Sequence, residues 1–404
     1  VLADPDGSFW FGLGDGGGLA HFDLQRGLLR SFRPDPQRPE SLAHNFVMRM
    51  VRAADGSLWV ATRGGGLDRL RPGAPGFEHF RHDPARVDSL AADTVQSLYI
   101  DREQTLWVGF LEDGLDALCA QCSSFRHYGH GRAPTAGLPP GGVNDVLERR
   151  DGSLWVGSGT SGLLRLDPAS GHVEAYGNDP GDVGSLGANV VSDLYEDSRG
   201  ELWVGTLGGG LNRLIERAGA RPRFHAVGAR DGLPSDSIGG IAEDRRGRLW
   251  VSTTVGISRL DPRDGALVNY GAAQGASPAG YFITTVDQAP DGRIVFGGPA
   301  EATVLDPEAL HSVGTPLPVI ADLRLFNQPV YPRWRDAASP LEQAPWSGGQ
   351  AVLDDRQSML TVSFGAPTAA APSAVRFGYR LDPHDADWID TDASLRSATY
   401  TGLP

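Results

Sequence analysis

Short apolar runs that contain tryptophan recur along most of this sequence, and turn residues flank each run. The tryptophans follow one another at spacings of 49, 48, 48, 48 and 47 residues, and Val295 takes the corresponding place 45 residues after the last. The six tryptophans are Trp10, Trp59, Trp107, Trp155, Trp203 and Trp250. A period this regular indicates a repeat architecture with seven copies, the seventh of them degraded.

Each copy predicts a pair of hairpins around its tryptophan. The run Leu-Trp-Val-Gly favours a strand because aromatic and β-branched side chains fit a pleated, half-buried surface. Asp-Gly pairs before it, as at Asp55 and Asp151, supply the positive backbone angles of a tight turn. Glycines after it, as at 208–210, form a second turn, and Gly-Leu-x-Arg-Leu then returns as another strand.

One strand before these hairpins and one after them complete each copy. The preceding strands are predicted at Val47–Val51, Val95–Ile100, Val143–Leu147, Val191–Tyr195, Ile238–Ala242 and Ile283–Val286. The final strands are predicted to end at Phe32, Phe80, Tyr128, Tyr176, Val227 and Tyr270. Four antiparallel strands in about 48 residues are typical of one propeller blade. The pattern therefore predicts an all-β fold with a seven-bladed β-propeller over residues 1–310.

The tryptophans are interpreted as structural blade anchors. One large apolar side chain per blade suits the gap between neighbouring blades better than it suits ligand stacking. The turns Asp-x-x-Gly-x-x-Trp are similar to the Asp box of sialidases, which is itself structural. Val1 and Leu2 correspond to the inner strand of the first blade, so further residues are expected upstream of residue 1.

The blades resemble the two-component regulator propeller repeat. Its pattern combines Gly/Ser-Leu-x-x-Asn-x-Val, Asp-x-x-Gly-x-Leu-Trp-Val-Gly-Thr and Gly-Gly-Leu-x-Arg-Leu, and residues 185–214 match it nearly throughout. The matching residues are Ser185, Leu186, Asn189, Val191, Asp197, Gly200, Leu202, Trp203, Val204, Gly205, Thr206, Gly209, Gly210, Leu211, Arg213 and Leu214. The resemblance covers residues 1–310, and the seventh copy departs most because it lacks both tryptophan and Gly-Gly-Leu.

The period stops after Pro307, where alternating apolar and polar residues predict a different set of strands. These strands are 316–327, 358–364, 375–381 and 398–402. Arg376-Phe-Gly-Tyr-Arg-Leu, Trp388 and Tyr400-Thr-Gly-Leu-Pro resemble the triple-Tyr domain that follows such propellers, although Phe377 stands where tyrosine is frequent. This resemblance implies an incomplete immunoglobulin-like β-sandwich over residues 316–404, truncated at its C-terminus.

Composition narrows the classes of function. The chain has 404 residues and a formal net charge of −14, whereas non-specific nucleic-acid binding needs a basic surface. No stretch approaches the ~20 apolar residues of a membrane-spanning helix. We therefore expect no nucleic-acid partner, and contact with a membrane only through a segment downstream of residue 404.

The family resemblance implies an extracytoplasmic sensor region that is not catalytic. Such a region lies in the periplasm, binds a small molecule or an oligosaccharide at the propeller mouth, and signals through the sandwich to a histidine kinase or a diguanylate cyclase. It implies no cofactor and a homodimer formed through the C-terminal domain. The alternative is an enzyme on the same scaffold, a polysaccharide lyase or glycosidase. No pair of carboxylates stands out by position as acid and nucleophile.

Cys119 and Cys122, followed by His127 and His130, have a spacing seen in metal sites. The group occurs in one blade only, and a propeller needs no metal clip, so no metal site is predicted. A disulfide in an oxidising compartment and two free thiols both remain open.

Ligands of propellers bind where the blades converge, at a mouth of the central channel. A repeat keeps what the fold requires, so loop residues that depart from it with a large or charged side chain are candidate ligand contacts. These candidates are His44, Arg63, Glu112, Asp113, Tyr281 and Phe282. The competing interpretation of each residue is a solvated loop position, although loops often carry function.

Overall fold

The computed structural model describes residues 1–14, 16–129, 137–216, 221–299, 301–310, 318–333, 335–345, 350–354, 356–365, 377–391 and 395–403. His130, Arg376 and Pro404, which the sequence analysis used, lie outside these ranges. Contacts divide the chain into two units, Val1–Pro307 and Glu308–Pro404.

The first unit consists of seven consecutive antiparallel sheets, six with four strands and one with three strands among the described residues. The strands of blades one to three are β1 Leu2–Ala3, β2 Phe9–Leu13, β3 Gly18–Asp23, β4 Gly27–Phe32, β5 Val47–Arg52, β6 Leu58–Thr62, β7 Gly66–Leu70, β8 Glu78–Phe80, β9 Val95–Ile100, β10 Leu106–Phe110, β11 Leu115–Leu118 and β12 Arg126–Tyr128. The strands of blades four and five are β13 Val143–Glu148, β14 Leu154–Ser158, β15 Leu163–Leu166, β16 Val173–Tyr176, β17 Val191–Glu196, β18 Leu202–Thr206, β19 Leu211–Ile215 and β20 Arg223–Val227. Those of blades six and seven are β21 Ile238–Glu243, β22 Leu249–Thr253, β23 Ile257–Leu260, β24 Leu267–Tyr270, β25 Val286–Gln288, β26 Ile294–Gly297 and β27 Ala302–Leu305.

Two short 3-10 helices, Ala229–Asp231 and Ala272–Gln274, follow the outer strands of blades five and six. No helix in the described part of the chain is long and apolar enough to cross a membrane.

The seven sheets close into a ring. From β5 to β25 each inner strand contacts the inner strand of the next blade, β2 contacts β5, and β1 contacts β25. Across the joint between blades one and seven, the amide of Ala3 donates a hydrogen bond of 2.8 Å to Asp287 Oδ2. The all-β propeller fold predicted from the sequence is therefore confirmed.

The tryptophan column fills the space between blades. All six side chains are buried, and Trp155 of blade four shares its apolar cluster with Leu186 and Val191 of blade five. The indole N–H of Trp203 donates to Asp197 Oδ2 at 3.0 Å, as that of Trp250 donates to an aspartate six residues earlier at 2.8 Å. The aspartate of each such turn is thus the acceptor for the buried indole.

The recurring arginine of Gly-Leu-x-Arg-Leu has a structural role as well. Arg69 lies directly across from Trp59 in the β6–β7 pair, and its guanidinium carbon lies 5.0 Å from the ring centre. Arg213 covers Trp203 in the same way at 6.0 Å. This cation–π contact explains why the repeat combines one tryptophan with one arginine.

The seams between blades are built from the turn residue that precedes each inner strand. The carbonyl of Asp236 accepts hydrogen bonds from Gly208 and Gly210, at 3.0 and 2.9 Å, while its carboxylate accepts from the amide of Ala229 at 2.6 Å. In the first seam Asn45 takes this place, but the residue that corresponds to Ala229 is Pro34, which has no N–H. Asn45 Oδ1 is accordingly buried without a donor among the described residues.

The strand positions predicted from the period agree with the structure except in blade seven. The six final strands end at the predicted residues, and five of the six preceding strands begin where expected. The prediction of a strand at Ile283–Val286 is wrong, because the inner strand is Val286–Gln288. Thr284 has a positive φ of 53° and its amide donates to the Gly239 carbonyl at 2.8 Å, which holds residues 281–285 outside the strand ladder.

The second unit contains a four-stranded sheet in the order β29-β28-β30-β33 and the pair β31-β32. Its strands are β28 Val319–Leu325, β29 Gln328–Pro329, β30 Met359–Gly365, β31 Phe377–Tyr379, β32 Ile389–Thr391 and β33 Ser397–Thr401. Aromatic rings join the sheets, with ring centres 5.2 Å apart for Phe364 and Phe377 and 6.4 Å apart for Tyr379 and Tyr400. Two sheets that share a core have the arrangement of a sandwich. Its assignment as a triple-Tyr domain stays a prediction.

Cys119 and Cys122 form a disulfide, with Cα atoms 5.1 Å apart, in the turn between β11 and β12. His127 belongs to a different interaction, since its ring nitrogens lie 2.5 Å from Asp116 Oδ1 and 2.8 Å from the Val87 carbonyl. The sequence left open a disulfide or two free thiols, and the structure contains the disulfide.

Candidate functional site

Two groups of loops meet at one end of the propeller, which we call the loop mouth. The approach loops precede the inner strands and comprise residues 43–46, 91–94, 139–142, 187–190, 235–237 and 281–285. The hairpins follow the tryptophan strands and comprise residues 62–66, 110–114, 158–162, 206–210 and 253–256. The seam hydrogen bonds of Asp236 hold a hairpin of one blade against the approach loop of the next. Departures from the repeat in the two groups are therefore brought to the same end of the molecule.

A cleft of about 660 Å³ opens at the loop mouth between blades three, four and five. It is lined by Leu111, Glu112, Pro140, Gly141, Gly142, Asn144, Gly159, Thr160 and Val190. Asn144 Nδ2 donates to the Val191 carbonyl at 2.7 Å, which fixes the amide. Glu112 is exposed and forms no ion pair with any described residue. The cleft thus combines apolar walls with a carboxylate and a fixed amide, as small-ligand sites do.

His44 and Arg63 lie together beside Phe46 at the first two blades. The Arg63 guanidinium carbon lies 5.5 Å from the centre of the Phe46 ring. His44 Nδ1 accepts a hydrogen bond of 3.1 Å from the Phe46 amide, so in the neutral ring the proton is on Nε2. The pair therefore presents hydrogen-bond donors at the mouth.

Tyr281 and Phe282 are neighbours with different roles. Tyr281 is buried, and its hydroxyl accepts from the Ser277 amide and contacts Thr303 Oγ1, both at 2.7 Å. Phe282 is 55% exposed. Tyr281 thus anchors its loop, whereas Phe282 is available to a ligand. Asp113 is exposed beside Glu112 in the hairpin of blade three.

The structure adds a set of exposed apolar side chains that the sequence analysis did not single out. They come from the hairpins of different blades, and their exposed fractions lie between 36% and 55%. With Phe282 they are Leu13, Leu111, Leu207 and Val255. Contiguous exposed apolar side chains mark interaction sites, and these residues lie at the same end of the propeller. The signal available in the sequence was a leucine or valine where a hairpin usually has polar residues or glycine.

The channel below the mouth holds charged groups that the sequence analysis also missed. Arg49 donates through Nη1 to the Thr284 carbonyl, and its Nη2 lies 3.5 Å from Asp145 Oδ1. Asp145 and Asp193 each accept from a backbone amide of the next blade, at 3.0 and 2.7 Å. Burial raises the pKa of both carboxyls, that of Asp193 well above its usual range, and the Asp145 charge raises it further. The sequence feature that could have identified these two aspartates is that each is the third residue of its inner strand.

Asp4, Asp6 and His21 are the described residues whose ligand atoms converge closely enough for a metal ion. However, Asp4 already binds the Arg52 guanidinium at 2.6 Å and the Trp10 indole at 2.8 Å. A guanidinium on the carboxylate replaces the charge that a metal would supply, so the geometry favours an ion-pair network.

Residues 185–208 and 232–254 match the family model described as two component regulator propeller. These stretches lie in blades five and six. In these two stretches the repeat recognised in the sequence is therefore confirmed as a two-component regulator propeller repeat.

Several solved structures are similar to the chain. The extracellular domain of a hybrid two component system from B. thetaiotaomicron is 20% identical with a TM-score of 0.75, and the comparison covers 100% of this chain and 51% of that one. The chain thus spans about half the length of that structure. A streptogramin B lyase is 17% identical, with a TM-score of 0.57 over 75% of this chain and 91% of the lyase. Virginiamycin B lyase from Staphylococcus aureus is 13% identical, with a TM-score of 0.54 over 75% of this chain and 92% of the lyase.

No curated protein sequence matches the chain. At these identities the solved structures establish the propeller fold and leave the activity open, because sensors and lyases share it.

Proposed function

We propose that this chain is the extracytoplasmic ligand-sensing region of a bacterial transmembrane signalling protein. It binds a small molecule or an oligosaccharide fragment at the loop mouth without converting it. The observation that carries the proposal is the match of blades five and six to the two component regulator propeller model. The similarity over 100% of the chain to an extracellular domain of a hybrid two component system supports the same conclusion.

The mouth has the features that reversible binding requires. The mouth offers an exposed carboxylate from Glu112, an exposed guanidinium from Arg63 and an exposed aromatic ring from Phe282. Neither charged group forms a salt bridge with a described residue. Fixed neighbours such as Asn144 and Tyr281 keep the surrounding loops in place. A rigid scaffold that presents variable loops is a common way to build a binding site.

An enzyme on the same fold is the second candidate, because two lyases share the propeller. The groups that would serve such chemistry are Asp145 and Asp193, whose pKa values are raised by burial. Each carboxylate instead holds a backbone amide of the neighbouring blade. We assign them to the closure of the ring and not to acid–base chemistry.

Signal transmission is part of the proposal. The second unit relays ligand binding towards a membrane helix and a histidine kinase or diguanylate cyclase, within a homodimer formed through that unit. The location is the periplasm.

The test is a binding and turnover assay on the intact chain. Neutral and acidic oligosaccharides are screened by thermal shift, and each mixture is then analysed by mass spectrometry. We expect saturable stabilisation by at least one compound that is recovered unchanged. Product formation that Asp193→Asn abolishes would contradict the sensor assignment and establish the enzyme.

A further inference from the structure

The geometry points to an oxyanion-binding site on the side of the loop mouth formed by blades one and two. We call it the cationic sector, and it consists of Arg33, His44, Arg63 and Arg81. Its ligand is an anionic saccharide whose carboxylate or sulfate groups bind these side chains. This inference deepens the proposed function and rests on it, because it names the chemical class of the sensed ligand.

The first observation is that the three arginines of the sector have no acceptor. Arg33, Arg63 and Arg81 are exposed, and none of them forms a side-chain hydrogen bond or ion pair with a described residue. Other arginines of the propeller are paired with carboxylates: Arg52 binds Asp4 and Arg149 binds Glu216, both at 2.6 Å. Three exposed arginines without a paired carboxylate thus lie on one side of the mouth.

The second observation is their proximity to one another through the seams. Arg33 Cγ lies beside Gly18, 3.3 Å from the point that a Cβ on this glycine would occupy. The Gly18 amide donates to the Asn45 carbonyl at 3.0 Å. Asn45 is next to His44 in the sequence. His44 Nε2 lies beside Gly64, 4.0 Å from the point that a Cβ on this glycine would occupy. Gly64 in turn follows Arg63 in the hairpin. The first seam therefore places Arg33, His44 and Arg63 on neighbouring loops.

Arg81 extends the sector across the second seam. Its Cγ lies beside Gly66, 3.4 Å from the point that a Cβ on this glycine would occupy. Gly66 belongs to the same hairpin as Arg63. Asp93 lies beside the same glycine, and its Oδ1 accepts from the His82 amide at 2.8 Å. Asp93 forms no ion pair with the described arginines. Burial raises the pKa of Asp68 and the Arg81 charge offsets part of that rise, but the N–H groups of Arg81 donate to no described residue and are left for a ligand.

The donors suit an oxyanion in particular. A guanidinium is planar and binds carboxylate or sulfate oxygens through two parallel N–H groups. The Phe46 ring under Arg63 restricts that side chain, which lowers the entropy cost of binding. His44 adds an Nε2–H donor because its Nδ1 accepts from the Phe46 amide. On the other side, Glu112 and Asp113 repel anions, so they orient the ligand towards blades one and two.

The experiment measures binding of tetragalacturonate, a carboxylated oligosaccharide, to the intact chain by isothermal titration calorimetry. Its neutral methyl ester is the matched probe, and Arg63→Gln is the test variant. Arg26→Gln is the matched control, since Arg26 is exposed in the turn between β3 and β4 at the opposite end of the blade. Sodium sulfate is added in competition to ask whether a free oxyanion occupies the same site.

We expect tetragalacturonate to bind saturably and its ester at least about tenfold more weakly, a difference of about 1.4 kcal/mol. Arg63→Gln should lose a similar factor, whereas Arg26→Gln should bind as the unmodified chain does. Competition by sulfate would show that the site binds the charged group of the saccharide, and its absence would show that the saccharide ring is needed as well; both outcomes support the sector.

Equal affinity of the ester and the acid, unchanged affinity of Arg63→Gln, or no saturable binding of the acid would overturn the inference. A neutral oligosaccharide that binds equally to the unmodified chain and to Arg63→Gln would overturn the anionic site and leave the sensor assignment intact. If the chain converts tetragalacturonate to product and Arg63→Gln still binds the acid more weakly, the sensor assignment alone is overturned.

Discussion

Replacing Trp203 by phenylalanine separates the two contributions of the blade anchor, its packing and its indole hydrogen bond. Trp203 Nε1 donates to Asp197 Oδ2 at 3.0 Å, and Asp197 is 1% exposed. The other oxygen of Asp197 accepts from the amides of Arg199 and Glu201, each at 2.9 Å. Trp203→Phe therefore leaves one buried carboxylate oxygen without its donor.

Trp59 is the matched control for this substitution. It is also buried and also covered by an arginine, but Ala53 stands where the other blade has its aspartate. Its indole has no acceptor among the described residues. Both phenylalanine variants lose similar packing, so the difference between them measures the hydrogen bond to a charged group, about 1.5–3 kcal/mol.

The assay is urea unfolding of the three proteins followed by far-ultraviolet circular dichroism. Trp203→Phe should lower the unfolding free energy by about 1.5–3 kcal/mol more than Trp59→Phe does. Truncation of either residue to alanine should cost about 3–5 kcal/mol for the lost packing. Equal losses in the two phenylalanine variants would show that the recurring aspartate does not stabilise the tryptophan.

Three further predictions concern stability. Burial raises the pKa of Asp193, so its stabilising protonated form is lost as pH rises through that pKa. Asp193→Asn should therefore be more stable than the original chain at pH 8 and similar at pH 4; parallel thermal-melting curves would contradict this. Pro34→Ala supplies the amide that Asn45 Oδ1 lacks, and a double-mutant cycle with Asn45→Ala should show a favourable coupling of about 1 kcal/mol; zero coupling would refute the seam assignment. Replacing Cys119 and Cys122 by serine should cost about 2 kcal/mol in urea unfolding because the closed loop is short, and unchanged stability would exclude an entropic role for the disulfide.

The strands were predictable because each blade repeats the same local rules. Period-two alternation around tryptophan and glycine at the turns fix both the strand and its ends, as at Val191–Glu196. The orphan oxygen of Asn45 was implicit in the sequence too, since Pro34 replaces a donor that the other seams have. Ile283–Val286 was misjudged because its apolar run is local, whereas the hydrogen bond from Thr284 to Gly239 of another blade decides its conformation.

The candidate site was only partly predictable. Departures from the repeat located His44, Arg63 and Glu112 at the mouth, but they did not distinguish buried Tyr281 from exposed Phe282. Arginines 33 and 81 lie just after outer strands, so their place at the mouth follows from closure of the ring. Whether a charged side chain has a partner depends on residues far away in sequence, and the sequence pattern does not record those contacts.

Hydrogen–deuterium exchange with and without a saturating oligosaccharide is the measurement that most directly tests ligand sensing at the loop mouth. We expect slower exchange in residues 43–47, 62–66 and 110–113, no change in the opposite turns at 53–57 and 149–153, and recovery of the oligosaccharide unchanged. Protection confined to the opposite turns, or consumption of the oligosaccharide during the experiment, would contradict it.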